Sequence, residues 1–172
     1  MRKYNEDPYQ KIAIIGSFRK HYDQICASRQ IFIDGGLTVL APDTGTIINP
    51  NIEYVLLDTD QDESPAIIES KFMTQLLSSD LVYVCNPEGY IGLSVMFELG
   101  ILITNGQEIY FQEQPLDPLL KDITQQASDN ILTPEKLCEK IACHNQLWRS
   151  RSWFDGLDKC QSPLCLAIYQ RE

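Results

Sequence analysis

The stretch DLVYVCNPEGYIGLSVMFELG, from Asp80 to Gly100, joins two apolar segments through a turn that contains a proline and two glycines. Its first part, DLVYVCN, is a short and nearly continuous apolar run, which is typical of a parallel strand covered on both faces. The segment from Gly92 onward stays apolar until Asn105 and Gly106, residues that commonly end a helix. This stretch therefore predicts a strand, a turn and a helix.

The same alternation of strand and helix continues on both sides of this stretch. Further strands are predicted at KIAIIGSF, LTVLAP and EIYFQ, and further helices over residues 19–33, 64–79 and 132–148. Residues 43–63 are irregular in pattern, although EYVLLD (residues 53–58) could add a short strand, and residues 153–169 have no assignment. Strands that alternate with helices at this spacing predict an open, Rossmann-like α/β sheet with right-handed crossovers.

The length and charge of the chain limit its class. With 172 residues, 44% of them hydrophobic and 22% charged, the chain is expected to form a single globular domain over residues 1–172. Its 24 acidic and 14 basic residues give a formal charge of -10, which argues against binding of extended nucleic acid. The polar start MRKYNEDPYQ, and a sequence without any apolar run of about 20 residues, predict a cytoplasmic protein with no membrane span.

The six cysteines are expected to be reduced. Cys26 and Cys85 fall inside a predicted helix and a predicted strand, and no secretory signal accompanies them. A zinc site is the weaker alternative, because the remaining cysteines have C-x4-C rather than C-x2-C spacing. Its candidate ligands are Cys138, Cys143, His144, Cys160 and Cys165.

The ends of two predicted strands mark the expected ligand site. In an open α/β sheet, ligands bind beyond the carboxyl ends of the strands, at the point where the strand order reverses. If the first and third predicted strands flank that point, the Gly16-Ser17 turn and residues 86–94 face each other there. Ser94 would cap the following helix or offer its hydroxyl to an anion. Glu98, one turn beyond Ser94, would face the same crevice.

Glu98 is the candidate for chemistry at this site. Near the start of a helix the local dipole would keep its carboxylate ionised, while apolar neighbours would partly desolvate it. Such a carboxylate can act as a nucleophile toward the anomeric carbon of a sugar, because glycosidic bonds break through an oxocarbenium-like transition state. The alternative is a partly exposed helix glutamate that pairs with a lysine.

Three segments, IAIIGSFR, SDLVYVCNPEGYIGLSVMFELG and ILITNGQEIYF, resemble the nucleoside 2-deoxyribosyltransferase superfamily, which includes deoxynucleoside-monophosphate N-glycosidases. The likeness is greater to a bacterial branch with the motif N-P-x-G-Y-I-G-x-S followed by E-[IL]-G, and APDTGTIINPNIEYVLLDTD is similar to the second-strand region of that branch. The resemblance covers about residues 11–120, followed by a helical C-terminal extension. It implies a flavodoxin-like parallel sheet of about five strands with helices on both faces, a homodimer or larger homo-oligomer, and no metal or organic cofactor.

The resemblance also implies site residues. It makes Glu98 the nucleophile toward C1' of a nucleoside or nucleotide, and Asp80 the residue that opens the third strand, where a structural cap is the alternative interpretation. Water would then resolve the glycosyl-enzyme, giving hydrolysis, or a second base would resolve it, giving transfer. The expected substrate-binding residues are Gly16, Ser17, Phe18, Arg19, Asn86, Gly89, Tyr90, Gly92 and Ser94.

The chain departs from the family pattern at the acid that helps to protonate the leaving base. Phe72 stands at the position of this aspartate, Gly92 at that of a second acidic residue, and Ile14 near that of an aromatic hydroxyl in the first strand. Glu88 is predicted to take over as the acid, with Glu69 as the other candidate. Without such an acid, a factor of about 10²–10⁴ in rate would be lost.

Two functions therefore stay open. The first is cleavage of an N-glycosidic bond, or (deoxy)ribosyl transfer, on a nucleoside, nucleotide or related metabolite. The second is a nucleotide-binding or sensing module of the same fold with little or no catalysis. A flavin- or dinucleotide-binding protein is less well supported, because the chain has no G-x-G-x-x-G motif.

Overall fold

Four parallel strands form the sheet of the protein, for which a computed structural model describes residues 8–50, 52, 54–60, 63–125 and 128–150. The strands are β1 (Lys11–Gly16), β2 (Thr38–Ala41), β3 (Leu81–Cys85) and β4 (Ile109–Phe111). They lie in the order β2-β1-β3-β4, and each neighbouring pair is parallel. The chain order reverses between β1 and β3, which is consistent with a flavodoxin-like or Rossmann-like layer.

The sheet has four strands in the described part of the chain, where about five were expected. Next to β4, Ile131 forms only an isolated parallel bridge with Phe111. In the segment considered for a short strand, Leu57 forms only an isolated antiparallel bridge with Ile47. The described residues therefore contain the predicted parallel layer without a fifth strand.

Five helices connect and cover the strands within the described residues. They are α1 (Phe18–Asp34), α2 (Pro65–Leu77), α3 (Leu93–Thr104), α4 (Pro118–Gln125) and α5 (Pro134–Ser150). All but α4 were predicted. Helix α2 begins at a proline, whose fixed φ suits the first helical position, and its N-cap residue Ser64 makes no side-chain capping hydrogen bond. None of the described helices is long and apolar enough to cross a membrane.

Apolar side chains cover both faces of the sheet. Successive residues of β1 point to opposite faces, so Ile12 and Ile14 belong to one core while Ala13 and Ile15 belong to the other. Helices α1 and α5 contribute to the first core, and α2 and α3 to the second. Because both faces are covered, the strands are continuous apolar runs rather than alternating ones.

Asp80 lies at the edge of the sheet where β1 and β3 begin. Its carboxylate accepts hydrogen bonds from the backbone N–H groups of Gln10 and Lys11, both at 2.7 Å. These bonds tie the start of β1 to the start of β3. Asp80 therefore acts as a structural cap, at the opposite edge of the sheet from the predicted ligand site.

The cysteines differ in part from the expectation. The free thiols among the described residues are Cys26, Cys85 and Cys138. Cys143 is disulfide-bonded, so the prediction of reduced thiols is wrong at this residue. Cys160 and Cys165 lie outside the described residues. Within the part that the structure describes, no group of three or more His, Cys, Asp or Glu side chains could hold a metal ion.

Candidate active site

A cavity of about 390 Å³ lies beyond the carboxyl ends of β1 and β3. Its walls come from the turn between β1 and α1, the loop after β2, helix α2 and the first turns of α3. A volume of this size is typical of small-molecule sites. The predicted residues that line the cavity are Gly16, Ser17, Phe18, Arg19, Tyr90, Gly92, Ser94 and Glu98. The cavity therefore brings together the two turns that the expected strand order places face to face.

Asn86, Glu88 and Gly89, which were also predicted for the site, lie outside the cavity lining. The buried Asn86 side chain donates to the Glu113 carbonyl at 2.8 Å and accepts from the Glu113 N–H at 3.1 Å. Glu88 is exposed, and both Glu88 and Gly89 have left-handed backbone, with φ of 58° and 71°. A Cβ at Gly89 would overlap the carbonyl oxygen of Gln114. These residues shape the turn after β3, and their positions give no support to a catalytic or binding role.

Two helices begin at the cavity without a side-chain cap. The N-cap of α1 is Ser17 and that of α3 is Gly92, and neither helix has a capping side-chain hydrogen bond. The prediction that Ser94 caps α3 is therefore wrong, and Ser94 is an exposed residue of the first turn. The first N–H groups of a helix have no partner within the helix, and the helix dipole is positive there. Both ends therefore favour an anionic group in the cavity.

Tyr90 packs against α1 from across the cavity mouth. The Lys20 ammonium lies 3.6 Å from the centroid of the Tyr90 ring, and the His21 ring packs edge-on against it at 5.9 Å between centroids. His21 is half-buried, and so is His144, which contacts Tyr9. The Tyr90 ring therefore contacts α1 while it also lines the cavity.

Glu98 lies on the buried side of α3, together with Val95, Leu99 and Leu102. Only 5% of its surface is exposed, and its Oε2 atom is buried with no hydrogen-bond partner among the described residues. The ion pair found among the described residues joins Lys71 to Glu63 and does not involve Glu98. The alternative interpretation of Glu98, an exposed glutamate paired with a lysine, is therefore wrong.

The Glu98 carboxyl is held mainly in its protonated form at neutral pH. Burial, with a smaller contribution from the negative charge of Glu69, raises the pKa of Glu98 to about 8. The expectation that the helix dipole keeps this group ionised is wrong for the protein without ligand. Glu98 follows the N-cap Gly92 by more than one turn, and the dipole effect falls off within the first turn. Desolvation therefore decides the charge of Glu98.

A second carboxyl group, that of Glu69 on α2, lines the same cavity. Glu69 is half-buried, its Oε1 atom is buried with no hydrogen-bond partner among the described residues, and burial raises its pKa. Tyr54 lies near both carboxyls: burial, and then the charges of Glu69, Asp60 and Glu98, raise the pKa of Tyr54 to about 12. The buried Glu69 and Glu98 carboxyl groups and the Tyr54 phenol therefore lie within electrostatic reach of one another in the cavity.

The sequence contained a usable signal for Glu69 but not for Tyr54. Glu69, Phe72 and Gln75 recur every three residues on α2, and all three line the cavity. Tyr54 comes from the irregular segment after β2, whose position depends on distant contacts. The Tyr22 hydroxyl donates to the Gly45 carbonyl at 2.7 Å and accepts from the Gly45 N–H at 2.9 Å. These two hydrogen bonds link the loop after β2, which forms one wall of the cavity, to α1.

We expect Tyr22→Phe to loosen this wall. The substitution removes two hydrogen bonds, each of which typically contributes about 1 kcal/mol to stability. The free energy of unfolding should fall by about 1–2 kcal/mol, and hydrogen–deuterium exchange should accelerate at residues 43–50 and 54–60. Tyr83→Phe is the control, because the Tyr83 hydroxyl bonds to the Leu132 carbonyl, away from this segment. Exchange that is equally fast in both variants would contradict an anchoring role for Tyr22.

Comparisons of the chain with protein-family models, with curated proteins and with solved structures found no match. The conclusions on function therefore depend on the motifs and on the geometry of the cavity.

Proposed function

We propose that the protein cleaves the N-glycosidic bond of a nucleoside, a nucleotide or a related metabolite, or transfers the (deoxy)ribosyl group to another base, with Glu98 as the nucleophile. The observation that carries this proposal is the buried Oε2 atom of Glu98, which has no partner among the described residues and belongs to a side chain that lines the cavity. Burying a carboxyl without hydrogen bonds costs stability, so such groups concentrate at functional sites. The resemblance of NPEGYIGLS and ELG to nucleoside 2-deoxyribosyltransferases supports the choice of bond.

The chemistry follows from the properties of a desolvated carboxylate. An ionised Glu98 oxygen bonds to C1' of the sugar as the C1'–N bond breaks, and the base leaves with the electron pair of that bond. Positive charge develops on the sugar in the transition state, and the adjacent carboxylate stabilises it. Water or a second base then displaces the Glu98 oxygen from C1'. This sequence needs neither a metal nor an organic cofactor.

The rest of the cavity suits the rest of such a substrate. The uncapped starts of α1 and α3, together with the Arg19 side chain, would hold a phosphate or another anionic group. Phe18 and Tyr90 offer aromatic surface to a base. The net charge of -10 does not exclude this binding, because backbone amides at a helix N-terminus bind an anion whatever the net charge of the chain.

A substrate panel tests the proposal. Ribonucleosides, 2'-deoxynucleosides and their 5'-monophosphates are incubated with the protein, with and without a second base, and free base or exchanged nucleoside is measured by chromatography and mass spectrometry. We expect release or exchange of base from at least one class of substrate. Turnover should be slow, because Phe72 stands where the family has its acid and because most of the Glu98 carboxyl is protonated at pH 7.

A nucleotide-binding or sensing module is the second candidate. It is favoured by the protonated state of Glu98 at neutral pH, since a neutral carboxyl can donate a hydrogen bond but cannot attack a sugar. Such a module would bind members of the panel by calorimetry without releasing base. Its affinity would fall on Ser94→Ala or Arg19→Gln.

The homo-oligomer that the resemblance implies would use the outer face of α3. Leu93 is 87% exposed and Phe97 is 61% exposed, and these residues are spaced four apart on the helix, so they share one surface. Apolar surface of this kind commonly marks an interface between protein chains. We propose that a second copy of the chain covers it, in a symmetric dimer or larger assembly.

Light scattering at micromolar concentration tests this assembly. The wild type should elute with at least twice the chain mass, and Phe97→Asp should elute as a monomer, because a charge at the centre of an apolar interface is poorly solvated. Leu119→Asp is the matched control, since Leu119 is similarly exposed but lies on α4. A monomeric wild type would contradict the proposed dimer.

A further inference from the structure

The departing base needs a proton, and the side chains around Glu98 differ in their ability to give one. Phe72 lines the cavity with an apolar ring and has no proton to donate. Glu88, the acid expected from the sequence, is exposed and outside the lining. Glu69 lies one turn before Phe72 on α2, lines the cavity, and has a buried Oε1 atom with no partner among the described residues. We infer that Glu69 donates the proton to the leaving base, an inference that rests on the glycosidic activity proposed above.

The surroundings of Glu69 favour retention of a proton. The charged residues that line the cavity with it are Arg19, Asp43, Asp60, Glu63, Lys71 and Glu98. Four of these six are acidic, and Lys71 is already paired with Glu63. Tyr54 faces Glu69 from the preceding loop and stays neutral at physiological pH. Burial raises the pKa of Glu69 in this setting, as a carboxylic acid that must donate a proton near neutral pH requires.

Glu69 and Glu98 together hold the single proton that passes to the leaving base. In the reactive form Glu98 is ionised and Glu69 is protonated. The Glu98 oxygen bonds to C1', the C1'–N bond breaks with its electron pair going to the base, and the Glu69 proton passes to a base nitrogen. In hydrolysis, water then attacks C1', its proton passes to the Glu69 carboxylate, and the bond from C1' to Glu98 breaks. Each cycle consumes one water and returns both carboxyl groups to their starting forms.

Burial raises the pKa of both carboxyl groups, and the reactive arrangement is the tautomer of the singly protonated pair that has its proton on Glu69. Two interacting carboxyl groups lose their protons in steps that belong to the pair rather than to either residue. The pH profile of kcat/KM should therefore be bell-shaped, because kcat/KM follows the singly protonated pair, and its upper limb should fall near the pKa of Glu98, about 8.

Two substrates that differ only in the leaving base isolate the role of Glu69. Guanine must take up a proton to leave readily, whereas 7-methylguanine already carries a positive charge in the nucleoside and leaves as a neutral base. Guanine and 7-methylguanine substrates are compared in three forms, as ribonucleosides, as 2'-deoxynucleosides and as 5'-monophosphates. In Glu69→Gln we expect kcat/KM to fall by about 10²–10⁴-fold for the guanine substrate and by less than about tenfold for the 7-methylguanine substrate.

The pH profile and a matched variant complete the test. With the guanine substrate the wild type should show the bell, whereas with the 7-methylguanine substrate, whose base needs no proton, kcat/KM of both the wild type and Glu69→Gln should rise to a plateau as Glu98 ionises. Glu88→Gln makes the same chemical change outside the cavity and should leave both substrates and the bell unchanged. Equal losses on the two substrates, or no loss on guanosine, would overturn the role of Glu69 and leave the proposed activity standing. A wild type that releases neither base would overturn both.

Discussion

Glu98→Gln should lose base release by about a thousandfold or more, while it still binds the substrate with nearly the wild-type affinity. The amide keeps the shape of the side chain but is a far weaker nucleophile than a carboxylate, and loss of a nucleophile removes an interaction made only in the transition state. Because the pKa of Glu98 is raised to about 8, the wild-type side chain is mostly neutral at pH 7. The amide therefore matches its charge as well as its shape, so ground-state binding should change little.

Initial rates by chromatography and affinities by calorimetry separate these two effects. Glu88→Gln is again the matched control, since Glu88 is an exposed glutamate outside the cavity. Glu98→Ala should show the same loss of turnover as Glu98→Gln. Base release at the full rate in Glu98→Ala would exclude Glu98 as the nucleophile. A parallel fall in affinity and turnover would instead make it a binding residue.

The architecture could be predicted because the signals for it are local. Ile12, Ala13, Ile14 and Ile15 form an unbroken apolar run, since helices cover both faces of the sheet and no solvent face interrupts the pattern. Helix α4 escaped prediction because it has eight residues, too few for its apolar period to recur clearly. Its buried apolar residue is Leu120, while Leu119 is exposed. The fold class was therefore more accessible from the sequence than this peripheral element.

The location of the site was predictable, but its electrostatics were not. Glu98 could be placed beside the Gly16-Ser17 turn because the strand order alone decides which turns meet at the carboxyl edge. Its ionisation was predicted wrongly, since burial by the surrounding elements outweighs the helix dipole at this distance. Glu88 was predicted as the acid, but it lies outside the cavity lining. Two successive residues of that turn, Glu88 and Gly89, have left-handed backbone, and this geometry decides which side chains face the cavity. The motif alone does not predict it.

The contribution of Tyr54 depends on contacts between residues far apart in the chain. The segment that carries it is held to α1 by Tyr22 and is braced internally by the Asn49 side chain, which donates to the Tyr54 carbonyl at 2.7 Å. The sequence shows no periodic pattern for such hydrogen bonds, because they stabilise an irregular segment rather than a helix or a strand. Polar residues in a long loop are therefore the part of this site that sequence reasoning located least well.

The buried Glu98 carboxyl should also make the folded protein less stable as the pH rises from about 5 to about 8. The ordinary pKa of a glutamate in an unfolded chain is about 4.3, whereas burial raises that of Glu98 in the folded protein to about 8. Between these two values the folded state keeps a proton that the unfolded state has released. Each increase in pH therefore favours unfolding. This direction is opposite to that of a salt-bridged carboxylate, whose stabilisation is lost as the pH falls.

Denaturant unfolding at pH 5, 6, 7 and 8 should show this dependence. From the linkage relation, the free energy of unfolding of the wild type should fall by on the order of 3 kcal/mol across this range through Glu98 alone. Glu98→Gln cannot ionise, so its stability should be similar to that of the wild type at pH 5 and clearly higher at pH 8. A smaller slope should persist in this variant, because burial raises the pKa of Glu69 in the same direction. Glu88→Gln should keep the full wild-type slope, since Glu88 is exposed. If the wild type and Glu98→Gln follow the same curve, Glu98 is already ionised at neutral pH and ready to act as a nucleophile, and the slow turnover expected here would need another cause.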